Sequence, residues 1–311
     1  MNILISGAGG FVGRQLVKTL IGAGGHQLTL LDTRLNGIAD QASVTKLPGD
    51  LADADLRRRA LGDGVDAIIH LATVPGGAAE ADYAASRRIN LDAGLDLFEA
   101  AAALKPGVRV VFASSIAVFG APLPDHVDDA TPLAPAMTYG AHKLMTEIAL
   151  ADLSRKGRVD AVSVRLPGIL ARPAAASGMK SAFMSDLFHA LKAGRAFTCP
   201  VSLQGTVWAM SLSRIAENLA HALTVESRLL PAGRAVTLPA LRISMGDLAR
   251  EIAAQTGVDA DALVSVNADA ALEAAFAHQP PLLTPAAECA GFRHDGDLAT
   301  LVRAALATLE S

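Results

Sequence analysis

The feature that most constrains this 311-residue chain is a series of short apolar runs in its first half, none alternating with polar residues and most followed by a helical pattern. Asn2-Ile3-Leu4-Ile5-Ser6 reads as a buried strand, and after a glycine turn an amphipathic helix runs from about Phe11 to Ile21. Gln27 to Asp32, Val44 to Leu47, Asp66 to Leu71, Arg109 to Ala113 and Ala161 to Leu166 read as five more strands. Helical stretches are expected between them at about 53–61, 80–104 and 139–156. Strands that are apolar on both faces and separated by helices predict a parallel sheet covered twice. The fold class is therefore α/β, a doubly wound sheet.

The stretch 80–104 is apolar on more than one side, through Ile89, Leu91, Leu95, Leu97, Phe98 and an alanine run. Such a helix is either buried twice, on its own sheet and on a partner subunit, or is an ordinary core helix. After Leu166 the rhythm changes: prolines punctuate shorter elements, with helices expected at 182–193, 212–223, 244–256 and 296–308 and a strand at Ala235 to Leu238. This predicts a smaller, mostly helical C-terminal lobe. The division expected is 1–170 for the sheet domain, with elements near 206–240 returning to it, and 171–205 with 241–311 for the lobe.

Composition removes several function classes. Twenty-seven basic against 31 acidic residues give a net charge of −4, the wrong sign for a phosphate-binding nucleic-acid protein. Hydrophobic residues make up 51 % and charged ones 19 %, enough for a large core. No apolar run approaches the ~18 residues of a membrane span, and the chain opens directly into a strand pattern with no signal-peptide pattern. Two cysteines, Cys199 and Cys289, cannot build a disulfide framework or a tetrahedral zinc site; both are expected to be buried. The eight histidines have no metal-ligand spacing, so no metal is expected. A cytoplasmic protein is the expectation.

Strand one ends in Gly7-Ala8-Gly9-Gly10-Phe11-Val12-Gly13, a glycine turn that opens a helix. Glycine permits a positive-φ turn and close approach of a pyrophosphate, which the free N–H groups and dipole of the helix N-terminus attract. Tight strand-to-helix turns favour glycine anyway, so the motif alone is weak. Asp32 ends the second strand, 19 residues after Gly13. A carboxylate there can bond both ribose hydroxyls of an adenosine and repels a 2′-phosphate, favouring NAD over NADP; the alternative is a strand-end turn acid. Arg34 nearby could still tolerate that phosphate. Asp50 and Leu51 follow strand three, where the adenine edge would lie, Asp50 being equally readable as a helix N-cap.

Tyr139 and Lys143 stand at i and i+4 on one helical face. A phenol of pKa ~10 is a poor base at neutral pH, and a neighbouring ammonium together with a nicotinamide cation would lower it. The bland reading is a surface pair on a helix. Ser114 and Ser115 close the fifth strand, at the edge where open α/β sheets bind ligands.

Taken in order, Gly7/Gly10/Gly13, Asp32, His70-Leu71-Ala72, Ser114 to Gly120, Tyr139-x-x-x-Lys143 and Arg165-Leu166-Pro167 resemble the extended short-chain dehydrogenase/reductases over residues 1–170. The closing Ala290-Gly291-Phe292 before a terminal helix is similar as well. The resemblance implies a Rossmann domain holding NAD and a Ser-Tyr-Lys site. Ser115 would polarise the substrate oxygen, Tyr139 would exchange the proton, and Lys143 would hold the nicotinamide ribose and activate Tyr139. Gly7, Gly10, Phe11, Val12, Gly13, Asp32, Asp50, Leu51, Leu71, Ala72, Thr73 and Asn90 would lie along the cofactor, with Pro167 and Ile169 behind the nicotinamide. It also implies a homodimer.

Two departures narrow the substrate. Nucleotide-sugar epimerases and dehydratases of that group carry Arg-x-x-Asn where this chain has Arg165-Leu166-Pro167-Gly168, and an Arg-Asp-aromatic motif where it has Thr206-Val207-Trp208. An uncharged Thr-Val pair cannot grip a diphosphate by charge-assisted bonds. A smaller substrate is expected. Cys199-Pro200-Val201, Trp208 to Ser211, Ala216-Glu217-Asn218-Leu219 and Leu238-Pro239 resemble the D-erythronate dehydrogenases. That resemblance implies oxidation of the C2 hydroxyl of a four-carbon sugar acid to its 2-oxo acid. A carboxylate needs an anchor, and Arg172, Ser177 and Lys180 in the loop after strand six are candidates, each also readable as a solvated loop residue. Trp208 reads as a pocket wall or a core aromatic. The rival readings are a sugar epimerase or dehydratase and an NAD(P)-binding regulator without chemistry; regulators of that kind often lose the tyrosine or lysine, both retained here.

Overall fold

Strands apolar on both faces can be buried only if helices cover the sheet from both sides. The computed structural model, which describes residues 1–173 and 182–309, meets this requirement. The first half runs β1 (Asn2–Ser6), α1 (Phe11–Ala23), β2 (Gln27–Asp32), β3 (Val44–Pro48), α2 (Ala54–Leu61) and β4 (Ala67–His70). It continues through α3 (Gly76–Ala81), α4 (Tyr83–Arg87), α5 (Ala93–Leu104), β5 (Val108–Ser115), α6 (Thr138–Arg155) and β6 (Val159–Leu166). Then follow β7 (Gly168–Ile169), α7 (Phe183–Lys192), β8 (Phe197–Cys199), β9 (Thr206–Met210), α8 (Leu212–His221) and β10 (Ala235–Thr237). The chain closes with β11 (Leu241–Ser244), α9 (Met245–Thr256), α10 (Ala260–Leu263), β12 (Val264–Val266), α11 (Ala270–Phe276), α12 (Pro285–Cys289) and α13 (Leu298–Thr308).

Seven strands form one sheet in the order β10-β6-β5-β4-β1-β2-β3, every pair parallel. The two-residue period of a strand sends Ile3 and Ile5 to the face covered by α1 and α8, and Leu4 to the face covered by α2, α5 and α6. Each such fully buried side chain contributes roughly 1.5–3 kcal/mol. That packing holds α1 through Leu16, Val17 and Leu20 although no side chain caps its N-terminus. The chain leaves β1 toward β2 and β3, then returns to the other side of β1 at β4. The crevice beyond the carboxyl ends of β1 and β4 is therefore the topological switch point where open α/β sheets bind ligands.

A three-stranded sheet, β11-β9-β7, and the pair β12-β8 belong to the second half. β9 joins the cores by alternation: Val207 and Ala209 enter the core built by α7, α9 and α13, while Met210 enters that of α1 and α8. Trp208 is 1 % exposed, donates its indole N–H to the Pro280 carbonyl at 2.7 Å, and meets Phe119 edge-on. It is a core aromatic. No helix of the described residues is long and apolar enough to cross a membrane.

The expected helix at 80–104 is broken into α3, α4, a π-helical turn at Arg88–Asp92, and α5. Asp82 causes one break, because its carboxylate accepts the Ala85 N–H at 2.9 Å and starts a new helix. α5 buries one face through Ala93, Leu97, Phe98 and Ala101, and Leu104, its last residue, is exposed. Cys199 is buried as expected, but Cys289, the last residue of α12, is exposed. Its short helix presents only Ala287 to the core.

Candidate active site

The glycine turn after β1 is built as its sequence requires. Gly7 has φ +77°, and a Cβ there would stand 2.5 Å from the Ala72 backbone nitrogen. At Gly13 a Cβ would stand 2.3 Å from the Gly7 carbonyl oxygen. These residues let the first turn of α1 close against both β1 and the loop after β4. Gly10 is the N-cap with extended backbone, and the first turn of α1 holds no acidic residue and no side-chain cap. Its leading N–H groups are thus left to an anion.

Asp32 lies at the lip of this turn. Its Oδ2 accepts the Gly9 N–H at 3.0 Å and its Oδ1 the Arg34 N–H at 3.0 Å. The carboxylate is oriented by backbone rather than by a cation, which leaves lone pairs for a diol. Gly9 was not among the expected site residues, and its N–H is what fixes Asp32. Asp50 follows β3, but it is not the helix cap: Asp53 caps α2 through the Asp55 and Leu56 N–H groups. Asp50 instead accepts the Ala52 N–H at 2.9 Å and pairs with Arg88 at 2.7 Å, contacts that hold its carboxyl below the usual range. Leu51 is buried and its carbonyl accepts from Arg57.

Across the crevice, Leu71 hydrogen-bonds through its N–H to the Ser6 carbonyl at 2.9 Å, tying the loop to β1. Asn90, in the π-helical turn, uses its amide on that loop: Oδ1 accepts from the Val74 N–H and the Thr73 hydroxyl, and Nδ2 donates to the Val74 carbonyl. It therefore shapes the path past Leu71, Ala72 and Thr73. Phe11 and Val12 border the turn from α1, half-buried against the core. Pro167 precedes β7 and Ile169 is its last residue, placed opposite Met210 by the pairing with β9.

Ser115 is the last residue of β5, and its hydroxyl caps the short 3₁₀ turn that follows by accepting the Ala117 N–H at 3.1 Å. Tyr139 is the second residue of α6 and stands in hydrogen-bonding reach of Ser115. Burial pushes its phenol above the ordinary range in the chain alone; the expected lowering combines Lys143 with a nicotinamide cation. The Ser115 hydroxyl and the Arg172 guanidinium pull the other way without overcoming desolvation. Lys143, 2 % exposed, donates through Nζ to the Ala113 carbonyl at 2.7 Å and lies 5.5 Å from the centre of the Tyr139 ring and 4.7 Å from that of Phe112. Burial lowers its pKa to about 7, with Glu147 opposing. His142 points elsewhere, toward Tyr83, and is buried.

Arg172 is the candidate anchor that the fold brings to the site. Ala171 has φ +54°, an unfavourable conformation for a residue with a side chain, and it redirects the chain before Arg172. α7 then fixes the Arg172 backbone from both sides: its N–H donates to Ser185 Oγ at 3.1 Å, and its carbonyl accepts from His189 Nε2 at 2.7 Å. The guanidinium lies 5.6 Å from the centre of the Phe11 ring and close enough to Tyr139 for each charge to favour the other. Ser177 and Lys180 lie outside the described residues. Among the described residues no cluster of His, Cys, Asp or Glu could hold a metal ion.

An uncapped helix end over a glycine turn, a backbone-held carboxylate at β2 and a cluster of Ser115, Tyr139 and Lys143 at the end of β5 thus lie along the carboxyl edge of the sheet. Residues 3–209 match the NAD dependent epimerase/dehydratase family. The chain belongs to that family. As a member, it is an NAD-dependent oxidoreductase. The D-erythronate dehydrogenase of Cupriavidus necator is 37 % identical over 254 residues, 78 % of each chain. That of Haemophilus influenzae is 32 % identical over 257 residues, 81 % of each chain. The nucleoside-diphosphate-sugar epimerase from Agrobacterium tumefaciens superposes with a TM-score of 0.87 at 29 % identity, covering 97 % of this chain and 92 % of its own. The stretch expected to lack a diphosphate grip, Thr206 to Ser211, has no charged residue, and Val207 to Ser211 are buried.

Proposed function

We propose that this family member oxidises the C2 hydroxyl of a small sugar acid, D-erythronate to 2-oxo-tetronate, with NAD as cofactor. The observation that carries this reading is Arg172: a single guanidinium, fixed through its backbone by α7, beside the Ser115/Tyr139 hydroxyl pair. One planar cation next to a proton acceptor suits a substrate with a carboxylate adjacent to the reacting alcohol. In this reading Ser115 orients the C2 oxygen and Tyr139 takes its proton. Lys143 holds the nicotinamide ribose and, with Arg172, offsets the desolvation that keeps the phenol protonated. The bound dinucleotide supplies the hydride acceptor and a positive ring. Residues 1–170, with elements near 206–240, form the cofactor domain, and 171–205 with 241–311 the substrate lobe. The enzyme works as a cytoplasmic homodimer; Tyr83, Met145 and Ile148 are among the exposed apolar residues available to a second subunit.

With purified enzyme and NAD⁺, D-erythronate is expected to give sustained NADH formation, and L-erythronate, D-threonate and UDP-glucose much less. Interconversion of a UDP-sugar without net NADH would favour the epimerase alternative instead.

Asp32 sets cofactor choice in this account. Asp32→Ala is expected to raise the KM for NAD⁺ roughly 10- to 100-fold, the value of hydrogen bonds to a charged acceptor, and to narrow the gap to NADP⁺. Steady-state kinetics with both cofactors check this; an unchanged preference would place the ribose elsewhere.

A further inference from the structure

Three residues of α6, each one turn apart, meet the last three residues of β5. Tyr139 is in reach of Ser115, Lys143 Nζ donates to the Ala113 carbonyl, and the Ser114 hydroxyl donates to Glu147 Oε1. Glu147 is 3 % exposed and also takes a forked contact from Arg165 on β6, with Nη2 at 2.8 Å from Oε2 and Nε at 3.1 and 3.3 Å from the two oxygens. A buried carboxylate held by a hydroxyl and a guanidinium cannot swing away, so its charge is fixed one turn from Lys143. The remaining groups around Lys143 do not replace it. His70 of β4 is held neutral, its pKa lowered to about 3 by burial and by Lys143 itself. Phe112 of β5 offers only its ring face, Tyr139 is protonated at neutral pH, and Arg165 and Arg172 are cations.

We propose that Glu147 is a positioning residue for proton transfer: anchored by Ser114 and Arg165, it docks α6 on the end of β5 and supplies the negative charge that keeps Lys143 an ammonium beside Tyr139. This rests on Tyr139 and Lys143 forming the proton-transfer pair. With Glu147 neutral, Lys143 gives up its proton at still lower pH, so less of it is the ammonium that favours the Tyr139 phenolate.

The test follows the Lys143 side chain by NMR in protein labelled at lysine Cε, assigned with Lys143→Met, alongside the pH profile of kcat. Glu147→Gln is expected to lower the Lys143 pKa from about 7 by about one unit. It should also reduce kcat about tenfold or more and move the acidic limb of the profile to higher pH, because less ammonium is left to favour the phenolate. Glu147→Asp keeps the charge and should keep the limb where it is. Glu147→Gln also leaves Arg165 buried without a counter-charge, so a Glu147→Gln/Arg165→Gln double variant, which removes both charges, should show the same shift if the single variant does not fold. An unshifted Lys143 and unshifted limb in Glu147→Gln or in the double variant would overturn the proposal, as would an equal shift in Glu147→Asp. Tyr139→Phe separates the two levels: turnover in that variant removes the proton-transfer pair itself, whereas an inactive Tyr139→Phe with an unshifted Glu147→Gln overturns only the role of Glu147.

Discussion

Tyr139→Phe is expected to lower kcat by roughly a thousandfold while leaving NAD⁺ affinity within about a factor of two, since a positioned proton acceptor contributes about 10²–10⁴. Phenylalanine keeps the ring that Lys143 lies against and removes only the oxygen in reach of Ser115. The change is therefore confined to proton transfer. The parent enzyme should also show a pH dependence of definite sign. Burial raises the Tyr139 pKa, so the ionised fraction is small at neutral pH and kcat/KM for alcohol oxidation climbs as pH increases. Stopped-flow turnover and cofactor titration by fluorescence quenching measure both effects. Full activity in Tyr139→Phe would take this residue out of the chemistry.

The second large effect belongs to Arg172. Arg172→Met retains an apolar stem over Phe11 but removes the fork, and kcat/KM for D-erythronate is expected to fall about 100-fold, within the range for truncating one partner of a buried charge pair. Arg172→Lys should recover only part of this, because an ammonium cannot make the bidentate contact. The decisive comparison is with the uncharged amide of the same acid. The parent should prefer the acid strongly and Arg172→Met should not. Loss of the guanidinium also removes a charge that favours the phenolate, so the acidic limb of the profile should move to higher pH. Unchanged preference for the carboxylate would move the anchor to another group.

The sheet was legible because its strands are buried on both faces, and a run such as Ala67-Ile68-Ile69 admits few other readings. The cofactor end was legible because a glycine turn and a strand-end acid are local patterns with fixed spacing. Elsewhere the determinants are long-range. The break before α4 depends on Asp82 winning a competition with helical hydrogen bonding, which apolar periodicity does not register. Arg172 was one of three equal candidates in a loop; its distinction comes from Ala171 in the left-handed region and from Ser185 and His189 on α7. Glu147 carried a faint signal, an acid at i+4 from Lys143, but its partners lie on β5 and β6. The burial that raises the Tyr139 pKa in the chain alone was not legible, because spacing reveals the nearby lysine and not the depth of desolvation.

The most direct measurement follows the hydrogen on C2. With D-erythronate deuterated at that carbon and NAD⁺, the account predicts that one deuterium arrives in the reduced cofactor and none stays in the 2-oxo product. Deuterium retained in an oxidised product, or returned to an isomerised sugar with no NADH accumulated, would contradict it.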